Sequence, residues 1–182
     1  MQAKLIELIK EHCGMWPKIG AEIGVYKGET SAQLLIGLPQ TQMVLVDPWL
    51  EWPAESSYYR NHKRTGKLDQ NAWKQTEMLA RSRIAEHSLP HRYKIIKDLS
   101  VTAANQFHDR HFDFVFIDAN HTAESVNADI KAWLPKTRKL LCGHDYGRSH
   151  KGVKVAVDSW FDDDVIAPGK RLWAVDLERW RL

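Results

Sequence analysis

The chain has 182 residues, 43% of them hydrophobic and 27% charged, which suits one globular core over 1–182 and excludes collagen, a long coiled coil and wholesale disorder. Its net charge of +3 comes from Lys and Arg spread along the whole chain, short of the clustered basic footprint of a nucleic-acid binder. No run reaches the roughly 18 apolar residues of a membrane helix, and MQAKLIELIKEH lacks the unbroken apolar stretch of a signal peptide, so a cytoplasmic protein with no membrane partner is expected. Cys13 and Cys142 are too few for a disulfide framework or a zinc knuckle and are expected reduced and buried. Monomer and homo-oligomer both stay open.

Residues 2–13 set Leu5, Ile6, Leu8, Ile9 and Cys13 on one helical face, with Lys4, Glu7, Lys10 and Glu11 opposite. After a Gly14–Pro17 break, IGAEIGVY is a short apolar run ending in glycine, and Glu29-Thr30-Ser31 opens a helix that runs to Leu38 before Pro39. The runs MVLVD (43–47), YKIIK (93–97), FDFVFID (112–118) and KLLCGHD (139–145) have the continuous apolarity of buried parallel strands. Helical patterns fall at 68–88, 100–108, 122–134 and 152–162. Two further short strands, 164–167 and 171–177, flank Pro168-Gly169 as a terminal hairpin. Alternating β and α predicts an α/β fold with a doubly wound, mostly parallel sheet.

Residues 48–67 carry Trp49, Trp52, Tyr58 and Tyr59 and follow neither period. A long insertion at the carboxyl end of a parallel strand is expected to act as a lid over a ligand crevice; the alternative is a surface loop with its aromatics tucked onto the body. Its basic run, Arg60, His62, Lys63, Arg64 and Lys67, could grip an anionic acceptor or simply be solvated.

Glu22-x-Gly24-Val25-x-x-Gly28 joins a predicted strand to a predicted helix. Such a turn lets backbone amides approach a ligand where the helix N-terminus favours negative charge. A dinucleotide loop would read G-x-G-x-x-G, but position 22 is Glu and the spacing from Gly24 to Gly28 is one residue too long. Asp47, ending the second strand, is placed to accept hydrogen bonds from a ribose diol, or else only begins a turn with Pro48. Asp118, Asn120 and His121 end the fourth strand, and His144, Asp145 and Tyr146 the fifth, so both sets face the same crevice. An alcohol nucleophile gains from losing its proton during attack, and His121 suits that task near neutral pH. Asp118 and Asp145 could share a divalent cation. The structural alternatives are Asp118 as a helix cap and His144 as a satisfied core residue.

The segments AEIGVYKGETS, LVDPW, FVFIDANHTAESVNADIKAWLP and GHDYG, with GVKVAVDSW after them, resemble class I S-adenosylmethionine methyltransferases. More narrowly, they resemble the bacterial group that includes macrolide-sugar O-methyltransferases and cephalosporin-hydroxylase-like proteins. The resemblance runs from about residue 19 to 161. It implies a Rossmann-like methyltransferase fold of seven strands with an antiparallel last strand. Glu22, Gly24, Val25 and Gly28 would surround the methionine part of S-adenosylmethionine, Asp47 the ribose, and Asp98, Leu99 and Ser100 the adenine. It further implies acids at Asp118 and Asp145 for Mg2+, with the base three residues after the first; metal-dependent relatives often carry a further acid or amide where this chain has Tyr146. The expected reaction is O-methylation of a small hydroxylated acceptor such as a sugar or natural product. The alternatives are an N- or RNA-methylating enzyme and a cofactor-binding protein without catalysis.

Overall fold

The longest apolar runs form the middle of the sheet. The computed structural model describes residues 1–53, 68–147, 150–169 and 171–180. In chain order these form α1 (Gln2–Cys13), β1 (Ile19–Ile23), α2 (Glu29–Gly37), β2 (Gln42–Val46), α3 (Gln70–His87), β3 (Tyr93–Ile96), α4 (Ser100–Ala104), β4 (Phe112–Ile117), α5 (Ala123–Trp133), β5 (Thr137–Gly143), α6 (Lys151–Phe161), β6 (Trp173–Asp176) and α7 (Leu177–Trp180). The strand order is β3-β2-β1-β4-β5-β6, parallel throughout except for β6, which runs antiparallel to β5.

β4 is buried at all six positions because both of its faces are covered. Phe114 and Phe116 pack with Leu5, Ile9, Leu34, Trp73 and Ile84 from α1, α2 and α3. Val115 and Ile117 point the other way, onto Ala103, Ile130, Trp133 and Val157 from α4, α5 and α6. Successive side chains of a strand alternate faces, so one apolar run feeds two cores. Both cysteines are free and buried. Among the described residues no helix is long and apolar enough to cross a membrane.

Among the described residues the sheet has six strands rather than the expected seven. The missing one, 164–167, survives as a single bridge in which Ile166 and Ala174 exchange two hydrogen bonds of 2.8 Å. On one side Asp162–Asp164 winds into a 3-10 turn, and on the other Pro168 has no N–H to extend the ladder. The order β2-β1-β4 reverses the direction of winding at β1, and the crevice beyond the carboxyl ends of these strands is where an open α/β sheet binds its ligand.

Candidate active site

A cavity of about 600 Å3 opens at that crevice. Its β1 end is shaped by Gly24, whose φ of +94° suits glycine and whose close packing leaves no room for a side chain: a Cβ there would lie 2.2 Å from the Asp118 carbonyl oxygen. The strand ends are stitched together, with Gly24 N donating to Val46 O at 2.9 Å and Asp118 N to Ile23 O at 2.7 Å. Glu22 is buried in the cavity wall and accepts a hydrogen bond from the Ser31 hydroxyl. Burial pushes its carboxyl up to about 8; the Ser31 hydrogen bond opposes this, while the charges of Asp118 and Asp47 add to it.

Asp47 has more partners than the sequence suggests. Its Oδ2 accepts from Val25 N at 2.9 Å and Tyr26 N at 2.8 Å, and its Oδ1 from Trp49 N at 2.8 Å. Burial raises its carboxyl, and the three amides pull against that rise. The carboxylate thus clamps the loop after β1 to the loop after β2, holding Tyr26 at φ +51° and Trp49 at φ +39°, backbone positions that L-residues visit at a cost. Trp49 is fully buried and donates its indole N–H to Tyr26 O at 2.8 Å, so it belongs to the body rather than to a cover. Pro48, Leu50 and Trp52 do line the cavity. Tyr58, Tyr59 and the basic run from Arg60 to Lys67 lie outside the described residues.

Of the remaining residues assigned to the cofactor, Val25, Leu99 and Ser100 line the cavity, while Gly28 and Asp98 do not. Gly28 precedes the first turn of α2 at φ +73°, and a Cβ there would press on the Ala80 backbone of α3. Asp98 is half-buried, and its Oδ1 accepts from the neighbouring Leu99 amide at 2.7 Å. The carboxylate at this end is Asp129, which the sequence reading missed. It is buried and lines the cavity, and burial raises it to about 6 against a hydrogen bond with Ser100. Its signal was an acid set between Val126, Ile130 and Trp133 on the apolar face of α5.

At the ends of β4 and β5 the structure gathers Asp118, His121, His144 and Asp145, as their strand positions predict. His121 Nε2 lies 3.2 Å from Asp145 Oδ2 and 3.6 Å from Asp118 Oδ1. His144 Nδ1 stands 3.6 Å from Asp118 Oδ1 and 3.5 Å from Asp145 Oδ1. Two further groups face Asp145 Oδ1, the imidazole of His150 with Nδ1 at 3.3 Å and the guanidinium of Arg171 with Nε at 3.5 Å. Asp145 holds φ +57°, a strained position at the turn that brings it here. Burial raises the Asp118 carboxyl, but the attraction of the nearby imidazoles of His121 and His144 outweighs it, so it sits below its ordinary value. His144 is lowered by burial and raised more strongly by Asp118, so it rises overall; burial carries His150 down. Asp118 and His121 line the cavity, and Asp145 stands behind His121. The capping role falls instead to Thr122, whose Oγ1 accepts from Ser125 N at 3.3 Å.

Tyr146 supplies no donor to this cluster: its hydroxyl donates to Asp158 Oδ1 at 2.6 Å. His144 and His150 stand round Asp145 instead, and the groups spaced to hold an ion are Asp118–His144–Asp145 and His121–Asp145–His150. This set does not fit Mg2+, which takes oxygen ligands in near-octahedral geometry.

The chain matches, over residues 21–146, the model of a family described as a methyltransferase domain. No curated protein matches it by sequence. An O-methyltransferase from Bacillus cereus, solved in complex with SAH, is 18% identical, with 96% of this chain and 80% of that one covered and a TM-score of 0.64. TomG, an O-methyltransferase from Streptomyces achromogenes solved with SAM, is 17% identical, with 96% and 79% covered and a TM-score of 0.63. The O-methyltransferase NovP is also 17% identical, with 95% and 79% covered and a TM-score of 0.63. Likeness at this level of identity establishes a shared fold.

Proposed function

The chain belongs to the methyltransferase domain family, and on that premise we propose that it moves the methyl group of S-adenosylmethionine to a hydroxyl of a small acceptor. The observation that carries this reading is a single cavity with the glycine loop and Glu22 at one end and Asp118 and His121 on its wall. The donor's methionine end lies against Gly24 and Val25, and its ribose reaches Asp47. A carboxylate offers about four lone-pair sites. Three are used by amides, which leaves capacity for a hydroxyl. The adenine end lies along Leu99 and Ser100, beside Asp129.

Methyl transfer forms the O–CH3 bond as the S–CH3 bond breaks, the electron pair returns to sulfur, and the acceptor proton leaves. The His121 imidazole takes that proton, while Asp145, 3.2 Å from Nε2, orients the ring and stabilises its charged form. Holding nucleophile and methyl carbon in line contributes as much as the base. Pro48, Leu50 and Trp52, at the start of the 48–67 segment, border the acceptor space. A sugar or natural-product hydroxyl is the acceptor favoured here, in keeping with TomG, which is involved in tomaymycin synthesis.

Calorimetry tests the donor: S-adenosylmethionine and S-adenosylhomocysteine should bind and NAD should give no heat. Binding of NAD alone would overturn the assignment. A panel of hydroxylated acceptors, followed by release of S-adenosylhomocysteine, then tests the reaction.

A further inference from the structure

We propose that the turn opening α6, from His150 to Gly152, is the positioning element for His121: it seats the loop after β4 so that one ring nitrogen stays on Asp145 and the other is left to take the acceptor proton. This rests on the reading of His121 as the base and adds to it the residues that aim the ring. Neither His150 nor Gly152 lines the cavity, so both act through His121 rather than on a ligand.

The first support is a backbone approach that only glycine permits. A Cβ on Gly152 would lie 2.5 Å from the His121 carbonyl oxygen, 2.8 Å from Ala123 N and 3.1 Å from the Thr122 carbonyl carbon. All three are backbone atoms, which cannot turn aside as the end of a flexible side chain would. Glycine is a poor helix former, and this contact is the reason for its place in the first turn of α6. The helices on either side of the loop are anchored. Val153, Ala156, Val157 and Phe161 of α6 are buried in one core with Val126, Ile130 and Trp133 of α5, and Trp160 Nε1 donates to Asn127 Oδ1 at 2.8 Å between them. The loop 118–122 between β4 and α5 is therefore the part that must yield to bulk at position 152, and it carries His121.

The second support comes from the rings. The His150 and His121 centroids are 4.7 Å apart, with 49° between the ring planes. The two imidazoles also share one carboxylate: His121 Nε2 faces Asp145 Oδ2 at 3.2 Å, and His150 Nδ1 faces Oδ1 at 3.3 Å. With a ring packed against it and Nε2 held by Asp145, the His121 imidazole is fixed as the Nε2–H tautomer, and Nδ1 stays bare. A base needs its geometry before its basicity, and a misplacement of about 1 Å can cost on the order of 10²-fold in rate. The turn guards against that misplacement.

The test reads the ring rather than the reaction, so it needs no acceptor and its failure is separate from failure of the methyl-transfer reading. The full-length, 15N-labelled protein is treated with chelator and held at about pH 9, above the ordinary imidazole range. Long-range 1H–15N correlation then shows which nitrogen of His121 carries the proton, and His121→Ala assigns the signals by their loss. The unmodified protein should show one tautomer, protonated at Nε2. Gly152→Ala and His150→Ala should each convert it to comparable populations of both tautomers. Val157→Ala opens a hole in the buried face of the same helix. It should lower the melting temperature and leave the tautomer as it was, so lost stability alone does not give the signal. Two tautomers in the unmodified protein, a single Nε2–H tautomer retained in either Gly152→Ala or His150→Ala, or an equal mixture in Val157→Ala would each overturn the proposal. If Gly152→Ala does not fold, His150→Ala decides it. Full turnover by His121→Ala would instead overturn the base reading, whatever the ring shows.

Discussion

At the β1–β2 end of the cavity, Asp47 takes three backbone amides at 2.8–2.9 Å and Glu22 takes a serine hydroxyl. At the β4–β5 end, Asp118 and Asp145 face three imidazoles and a guanidinium at 3.2–3.6 Å. The first end ties its carboxylates into internal hydrogen bonds, Asp47 to backbone amides and Glu22 to the Ser31 side chain, which fixes the loop shape before any ligand arrives. The second holds charged side chains at separations slightly longer than good hydrogen bonds, an arrangement that a proton, a cation or a reactant can complete. Donor binding should therefore depend on the first end and turnover on the second.

The largest expected effect follows from that division. His121→Ala should lower kcat by about 10²–10⁴ while leaving donor affinity nearly intact, because a base acts in the transition state. Steady-state kinetics and calorimetry on the same preparation check it. A matching loss of donor affinity would mean that the two ends do not act separately, and full turnover would move the base to His144.

Gly24→Ala attacks the junction of the two ends. The new methyl group would meet the Asp118 carbonyl at 2.2 Å from a backbone at φ +94°, so strain of about 1–3 kcal/mol or more is expected, together with loss of both donor binding and turnover. Unchanged donor affinity in a folded variant would show that the loop does not touch the donor.

Much of this architecture is legible in the sequence, for identifiable reasons. A strand buried on both faces cannot hide its apolar run, so 112–117 was plain, and the 3.6-residue period of residues 2–13 matches α1 at both ends. The convergence of Asp118, His121, His144 and Asp145 follows from strand-end positions alone. What escaped depends on the folded loops. Asp98 occupies the expected place after β3 yet caps its neighbour, while Asp129, nine-tenths buried a helix away, lines the wall. His150 lies just before α6 with no periodic pattern to mark it, and only the turn through Asp145 brings it into the cluster. Nothing local announces that Asp47 would serve three amides from two loops.

Asp47→Ala separates the clamp from the proposed ribose contact. Loss of the buried acceptor leaves three amides short of a partner, so unfolding stability should fall by about 1–3 kcal/mol. Below the melting range, donor affinity should fall by a further 1.5–3 kcal/mol or so if the carboxylate also holds the ribose diol. A stability loss without an affinity loss would leave Asp47 as a clamp alone and remove it from the donor contacts.

The smallest effect is expected of Glu22→Gln at low pH, and it should grow as pH rises. The folded carboxyl is raised from 4.5 to about 8, chiefly by burial. Between those values the folded state holds a proton that the unfolded state has released. Unfolding stability from this group is therefore greatest below about pH 4.5, falls as pH rises, and levels off above about pH 8. Gln is similar in shape, can still accept from the Ser31 hydroxyl and does not titrate, so its stability lacks that decline. Urea unfolding of both proteins at acidic, neutral and alkaline pH should show the wild type losing ground to the variant as pH rises. A difference that stays flat with pH would mean that Glu22 is ionised in the folded state throughout, and the β1 end of the cavity would then be a charged site like its counterpart at β4 and β5. A decline of wild-type stability relative to the variant as pH rises establishes that Glu22 holds its proton in the folded protein well above the ordinary carboxyl range.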